Sequence, residues 1–189
     1  SSSTTVAPFQ AFMVHKASPA GTSTFTINTS DRRTTVSPFY KSSAYAISLL
    51  VSGNGFNDIT YIDFEQQAST AFDSQYDGYK LPGKVNQPAI YTTQDGNWLS
   101  VQSNPDILSK TIIPVGFMAG QDGNYTITST GCDSFSNTTV YLKDYKTGAL
   151  HNLSLHATYN FQGAVADNAA RFELLFDIQE PNAIKNLTS

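Results

Sequence analysis

The stretch from Ile112 to Phe176 constrains the fold more than any other part of this sequence. Five runs rich in apolar, β-branched and aromatic residues follow one another there, and turn residues separate them without leaving room for a helix. The pattern predicts one continuous antiparallel meander. The five runs read IIPVGFMAG, DGNYTIT, TTVYLKDYKTGAL, ATYNFQ and RFELLF.

Further strands are predicted ahead of this meander. Glycine and asparagine at residues 53–55 tolerate positive φ, which predicts a hairpin between AYAISLLVSG and DITYIDF. The turn residues 94–96 predict a second hairpin, between AIYTT and NWLSVQS. A third is predicted between residues 11 and 28, where AFMVHK and STFTIN alternate. Residues 65–72 allow a helix of about two turns.

These patterns place the chain in the all-β class, with about twelve strands of ordinary length. We expect an antiparallel β-sandwich of jelly-roll or immunoglobulin-like type, because one open sheet of that width would leave an apolar face unburied. Residues 1–5 are predicted to be a polar linker, 6–178 a single large sandwich domain, and 179–189 a tail. The alternative is a division near residues 81–88 into two packed sandwich lobes.

The composition argues against several classes of partner. Charged residues make up 14% of the 189-residue chain and the net charge is −4, so no basic face is expected for nucleic acid or anionic lipid. No apolar run approaches the roughly 20 residues that a membrane helix needs, and no membrane insertion is expected. The single Cys132 excludes an intramolecular disulfide. Abundant aromatic and neutral polar residues are typical of extracellular β-proteins.

Catalytic motifs of recognised spacing are missing from the sequence. There is no G-x-S-x-G, and His15, His151 and His156 lie in or beside predicted strands, next to lysine or neutral residues. Nothing in the local sequence would lower the pKa of the Cys132 thiol and make it a nucleophile. We therefore expect a chain that is not an enzyme and has no cofactor, with calcium as the one ion left open.

The longest irregular stretch, residues 71–88, is where we expect a binding site, since long loops on a rigid β-scaffold often carry function. Asp73 and Asp77, with Asp63 before them, are candidate ligands for calcium, which takes several oxygen ligands. The spacing is not that of an EF-hand loop. The alternative interpretation is a turn at Asp77 and Gly78 that Asp73 caps through its own backbone.

Aromatic residues cluster in sequence around the same loop. Tyr76, Tyr79, Tyr91 and Trp98, with the amide of Asn97, are candidates for binding a carbohydrate by ring stacking and hydrogen bonds. The alternative is that these amphipathic rings cover the core of the domain and bind nothing.

Several motifs occur in an order that resembles a region of large secreted proteins of Bacteroidetes, which lies just ahead of their type IX secretion sorting domain. The resemblance covers nearly the whole chain. It rests on APFQAFMVHKAS, TAFDSQYDGYKL, IIPVGFMAGQDGNYTIT, VYLKDYKTGALHNLS and TYNFQGAVADNAARFELLF.

This resemblance implies an extracellular or cell-surface β-sandwich module, often beside adhesin, repeat or enzyme domains. It implies no catalysis and supplies no functional residues. The chain has no signal peptide at its start and no sorting domain at its end, which predicts a segment cut from a longer protein. We therefore expect a non-catalytic structural or adhesive module whose partners are neighbouring domains. The alternative is a carbohydrate-binding module that uses the region from Tyr76 to Trp98, with or without calcium.

Overall fold

The computed structural model of the chain describes residues 22, 24–26, 28, 46–81, 83–106, 111–135 and 137–178. The chain divides into two compact units, Ser1–Ser42 and Ser43–Ser189, and every strand below belongs to the second. The predicted linker at 1–5, the tail at 179–189 and most of the hairpin between residues 11 and 28 lie outside the described residues. The domain limits of 6–178 stay a prediction.

Eleven strands in the described residues confirm the all-β class. The helix allowed at residues 65–72 is wrong, because that segment forms turns, and the described helical structure is one 3₁₀ turn at Cys132–Ser134. No described helix has the length and apolar character to span a membrane. The strands are β1 (Ile47–Gly53), β2 (Phe56–Phe64), β3 (Gly78–Tyr79), β4 (Ala89–Gln94), β5 (Asn97–Asn104), β6 (Ile112–Met118), β7 (Gly123–Thr130), β8 (Thr138–Asp144), β9 (Leu150–Asn152), β10 (Thr158–Gly163) and β11 (Phe172–Ile178).

These strands form one mixed sheet that is nearly barrel-shaped. Their order is β10-β7-β1-β2-β5-β4-β6-β11-β8-β9, and β3 pairs with β5 beside this path. Two separate packed sheets are therefore not confirmed. The reason lies in β5, which pairs in parallel with β2 over Val101–Asn104 and antiparallel with β4 over Asn97–Leu99, and so joins two halves that would otherwise be separate.

The continuous meander predicted from Ile112 to Phe176 is wrong in its pairing, although its strands exist. Strand β6 pairs with β4 and β11, and β7 pairs with β1 and β10, so β6 and β7 are not neighbours. Apolar alternation marks a strand and its buried face, but it carries no information about the partner strand.

Two of the three hairpins predicted before the meander, in contrast, are confirmed. Strands β1 and β2 pair from Ile47 opposite Ile62 to Gly53 opposite Phe56, and β4 and β5 pair from Thr92 to Asn97. Each two-residue turn has positive φ at both positions, 52° and 78° at residues 54 and 55 and 50° and 76° at residues 95 and 96. Asn-Gly and Asp-Gly are the sequences that favour such turns.

The core is one cluster of alternating inward side chains from both halves of the sheet. Its aromatic centre is Phe117, whose ring contacts Tyr125, Phe161 and Phe172 edge to face, with centroids 5.0 to 6.1 Å apart. Gly53 makes room for the buried Tyr125 ring, since a Cβ at residue 53 would lie 2.2 Å from Cδ1 of that ring. The packing therefore depends on a missing side chain as well as on large ones.

A buried ion pair connects the end of β8 to the residue that precedes β11. Arg171 and Asp144 are 2% and 0% exposed, and the guanidinium donates from Nε to Oδ1 at 3.0 Å and from Nη2 to Oδ2 at 2.8 Å. Asp144 also accepts the Tyr159 hydroxyl at 3.0 Å and the Lys146 amide at 2.9 Å. Since Tyr159 belongs to β10, this carboxylate connects strands from the two ends of the sheet.

The same contacts determine the pKa of Asp144. Burial alone would raise this pKa, but the hydrogen bonds from Arg171, from the Lys146 amide and from Tyr159 outweigh burial and hold it below the ordinary value. The Asp144 carboxylate is therefore charged in the folded chain at neutral pH. Its contribution to stability is present above the ordinary pKa of about 4 and is lost as the pH falls through the lowered value.

Replacing Asp144 by alanine should lower the free energy of unfolding by about 3 kcal/mol at pH 7, because the Arg171 charge stays buried without its main partner. Urea denaturation measures the loss. Below about pH 4, the stability of the Asp144→Asn variant should also decline less than that of the wild-type chain. Lys146→Ala is the control, because its ion pair with Asp167 is partly exposed. An equal loss in that control would contradict this account.

Candidate functional site

The structure places the five residues of the predicted carbohydrate site on one region of the sheet. Tyr76 precedes β3, Tyr79 ends β3, Tyr91 lies in β4, and Asn97 and Trp98 begin β5. The turn between β4 and β5 brings Tyr91 and Trp98 to the same face. Ligand binding by these residues stays a prediction.

The central feature of this region is a stack of two rings. Trp98 lies on Tyr91 with centroids 4.4 Å apart and an interplanar angle of 20°. Tyr91 is only 2% exposed, and burial raises the pKa of its phenol, whereas Trp98 is 40% exposed. The indole is thus held from below by a buried ring and stays open to solvent in part.

Gly116 of the neighbouring strand β6 makes this stack possible. It lies directly opposite Tyr91, and a Cβ at this position would come within 2.2 Å of Cε2 of the Tyr91 ring. Any larger residue would have to displace the ring on which Trp98 rests.

The other two tyrosines are engaged with the preceding loop. The Tyr79 ring packs against Phe72 at 4.7 Å, and the Tyr76 hydroxyl donates to Oε1 of Gln67 at 3.2 Å. Both tyrosines are half-buried. Among the five predicted residues, Trp98 is therefore the most open to a ligand.

Asp77 anchors the loop to β5. Its Oδ1 accepts the Ser103 amide at 2.8 Å and its Oδ2 accepts the Asp73 amide at 2.7 Å, while Oδ1 of Asp73 accepts the Gln75 amide at 2.9 Å. Burial raises the pKa of Asp77, and the two amide hydrogen bonds oppose that rise. Asp73 thus caps a turn, as the alternative interpretation has it, but this turn lies at residues 74–76, and Gly78 already begins β3.

Asp63 lies at the end of β2, where its Oδ1 accepts the Phe64 amide at 2.8 Å. Across the described ranges, no three or more histidine, cysteine, aspartate or glutamate side chains are grouped so that they could hold a metal ion. Calcium binding at Asp63, Asp73 and Asp77 stays a prediction.

A buried lysine lies in this region, and no local sequence pattern indicates it. Lys80 is 8% exposed, and its ammonium lies 2.6 Å from Oδ2 of Asp58 and donates to the Ile59 carbonyl at 3.1 Å. Oδ2 of Asp58 also accepts the Ile90 amide at 2.7 Å. Asp58 therefore connects β2 to β4. This contact lies near the place where the partner of β5 changes from β4 to β2.

The remaining polar candidates have structural contacts. Nε2 of His151 lies 2.8 Å from the His156 carbonyl oxygen, and His15 lies outside the described residues. Burial raises the pKa of the Cys132 thiol to about 11, so the thiol is protonated at neutral pH. The expectation that the chain is not an enzyme stays a prediction.

Taken together, these features define an all-β module with an aromatic stack on the outer side of one hairpin. The chain belongs to the family described as Domain of unknown function (DUF8693), whose sequence profile matches residues 1–176. No solved structure gives a significant match.

A relative with a described role is the Minor fimbrium subunit Mfa5 of Porphyromonas gingivalis. It is 31% identical over 128 residues, which cover 67% of this chain and 10% of that protein. The chain thus spans about a tenth of the length of this relative. Its source belongs to the Bacteroidetes, the group that the sequence resemblance implied, whereas the adjoining type IX sorting domain is not shown.

The different exposure of the two stacked rings predicts how much stability each substitution would remove. The Trp98→Ala variant should lose about 1–2 kcal/mol of unfolding free energy, because it removes one stacked ring that is partly in water already. Tyr91→Ala should lose about 3–5 kcal/mol, since it removes a buried ring. Urea denaturation followed by circular dichroism measures both. If Trp98→Ala lost as much unfolding free energy as Tyr91→Ala, the indole would be part of the core and this account would be wrong.

Proposed function

We propose that this chain is a non-catalytic structural or adhesive module of a larger protein on the bacterial cell surface. The observation that carries the proposal is the similarity to part of a fimbrium subunit, a protein about ten times as long as the matched region. An all-β fold with one large core, one buried ion pair and one half-buried ion pair suits a rigid spacer or a support for other domains.

The proposed partners are neighbouring domains of the parent protein or other subunits of the same surface structure. The name of the relative supports this, because a fimbrium subunit associates with others. Export by the type IX route is part of the proposal, and its support is the ordered set of motifs found in the sequence.

Antibodies raised against the purified chain test the location. They should label intact cells of the source organism, because the proposal places the module outside the cell, and a brief protease treatment of intact cells should remove the signal. Flow cytometry measures the labelling, with an antibody to a cytoplasmic protein as the control. Labelling that appears only after lysis would contradict the proposal.

Carbohydrate binding is a second candidate function, which the geometry of Trp98 favours. An indole that is 40% exposed and rests on the buried Tyr91 ring is held in a fixed orientation, as a stacking platform for a sugar requires. Asn97 precedes Trp98 in β5, and because consecutive strand residues project to opposite faces, this candidate rests on the ring of Trp98.

A panel of polysaccharides tests this candidate, with the wild-type chain, Trp98→Ala and Tyr145→Ala. Tyr145 is a matched control because it is an exposed aromatic residue in the turn after β8, on a different hairpin. Binding should fall at least tenfold in Trp98→Ala and stay unchanged in Tyr145→Ala. Each measurement is repeated with calcium and with a chelator, and loss with the chelator alone would point to Asp73 and Asp77. No binding across the panel would contradict the candidate.

A further inference from the structure

Five buried side-chain atoms in the part of the chain that the structure describes have no hydrogen-bond partner, and all five lie on the β4–β5 hairpin. They belong to Thr92 and Gln94 of β4 and to Gln102 and Asn104 of β5. Native proteins leave few buried polar atoms unpaired, because each atom that loses its water without a replacement destabilises the fold. Their grouping on one hairpin therefore indicates that something binds there.

The polar residues of β4 face the interior of the sheet. Thr92 and Gln94 share a face of this strand with Ile90, which belongs to the core cluster, because alternate strand residues project to the same side. Thr92 is 0% exposed and Gln94 is 8% exposed. The residues opposite Thr92 are the buried Leu99 of β5 and the buried Val115 of β6. A hydroxyl and a whole amide group therefore lie beside apolar side chains, and no described residue satisfies them.

The polar residues of β5 show the same pattern. Gln102 is 5% exposed and lies opposite Ile62 of β2, and Asn104 lies opposite Phe64 of the same strand. Both of these opposite residues belong to the core cluster. Nε2 of Gln102 donates to Oδ1 of Asn104 at 3.4 Å. This contact leaves one acceptor, Oε1 of Gln102, and one donor, Nδ2 of Asn104, without a partner among the described residues.

The unpaired atoms determine the kind of molecule that fits. The Gln94 amide offers a donor, Nε2, and an acceptor, Oε1, and the Thr92 hydroxyl can act as either. A cation would meet the amide N–H groups and an anion would meet the amide oxygen, so the fitting molecule is neutral and both donates and accepts. Because both side chains are almost wholly buried, this molecule is also small. Water has all of these properties.

We propose that Thr92 and Gln94 bind ordered water on the inner face of β4, and that Gln102 and Asn104 bind a further water on β5. Buried waters typically make about three hydrogen bonds to groups that the protein leaves unpaired. Side chains two residues apart on a strand have Cβ atoms about 7 Å apart, and a water with two hydrogen bonds of about 2.8 Å bridges such a pair. Tyr91 projects to the opposite face of β4, so this site is separate from the aromatic stack.

Water–protein NOE and ROE spectra of the isotope-labelled chain test the proposal directly. The side-chain amide of Gln94 should show cross-peaks to water with opposite signs in the two spectra, because a water held longer than the tumbling time behaves as part of the protein. Gln162 is the control, since its side chain is exposed on β10 and meets only fast-exchanging water. Two results would overturn the proposal. One is a Gln94 amide without a water cross-peak, and the other is an NOE from this amide to a hydrogen-bonding side chain outside the described ranges in place of water.

Two substitutions of nearly equal volume give an independent test by urea denaturation. Thr92→Val or Gln94→Met alone removes one partner of the water, and the unfolding equilibrium constant should rise about tenfold, because the remaining polar group stays buried without its full set of hydrogen bonds. The double variant should be no less stable than either single variant, since it removes both polar groups together.

Gln162→Met is the matched control, because it makes the same substitution at an exposed amide and should leave the unfolding constant unchanged. Circular dichroism checks that each variant is folded. If each single variant were more stable than the wild-type chain, the proposal would be wrong, because removing an atom that no water satisfies stabilises the fold.

Discussion

The buried contact between Arg171 and Asp144 is the interaction on which the closure of this sheet depends. A guanidinium and a carboxylate that are both removed from water lose their hydration, and they are tolerated only with complete hydrogen bonding. Here the carboxylate has four donors from three parts of the chain, and the guanidinium lies 4.6 Å from the Phe161 ring centroid. The polar network and the aromatic core therefore hold each other in place, and the end strand β10 is fixed to β8.

The two halves of the sheet meet at β5, and the aromatic stack lies beside this junction. Strand β5 pairs with β4 where Trp98 lies and with β2 further on. Lys80 and Asp58 hold the neighbouring backbone at the point where the pairing changes. These contacts and the buried Tyr91 ring hold the outer side of the β4–β5 hairpin, and the partly exposed indole of Trp98 rests on it.

The sequence predicted the strands and the local turns well, because alternation and Asn-Gly or Asp-Gly pairs act over a few residues. It could not predict that β6 and β7 pair with different strands and not with each other, since strand pairing depends on contacts between residues far apart in the sequence. For the site, the closeness of Tyr91 and Trp98 followed from their hairpin, but the burial of Tyr91 did not, because the space for it comes from Gly116 in another strand. The buried Lys80 left no local signal, as the residues around it are typical of a polar loop.

The pairing of β1 with both β2 and β7 has a consequence for how the chain folds. Its partner β2 follows at once, whereas Ser48 meets Thr130 of β7 across 82 residues of sequence. Folds rich in such distant pairings form slowly, because loop-closure entropy is lost before the contacts that compensate for it are made. The first hairpin of this sheet must therefore wait during synthesis, with one edge of β1 unpaired, until the residues that separate Ser48 from Thr130 have followed it.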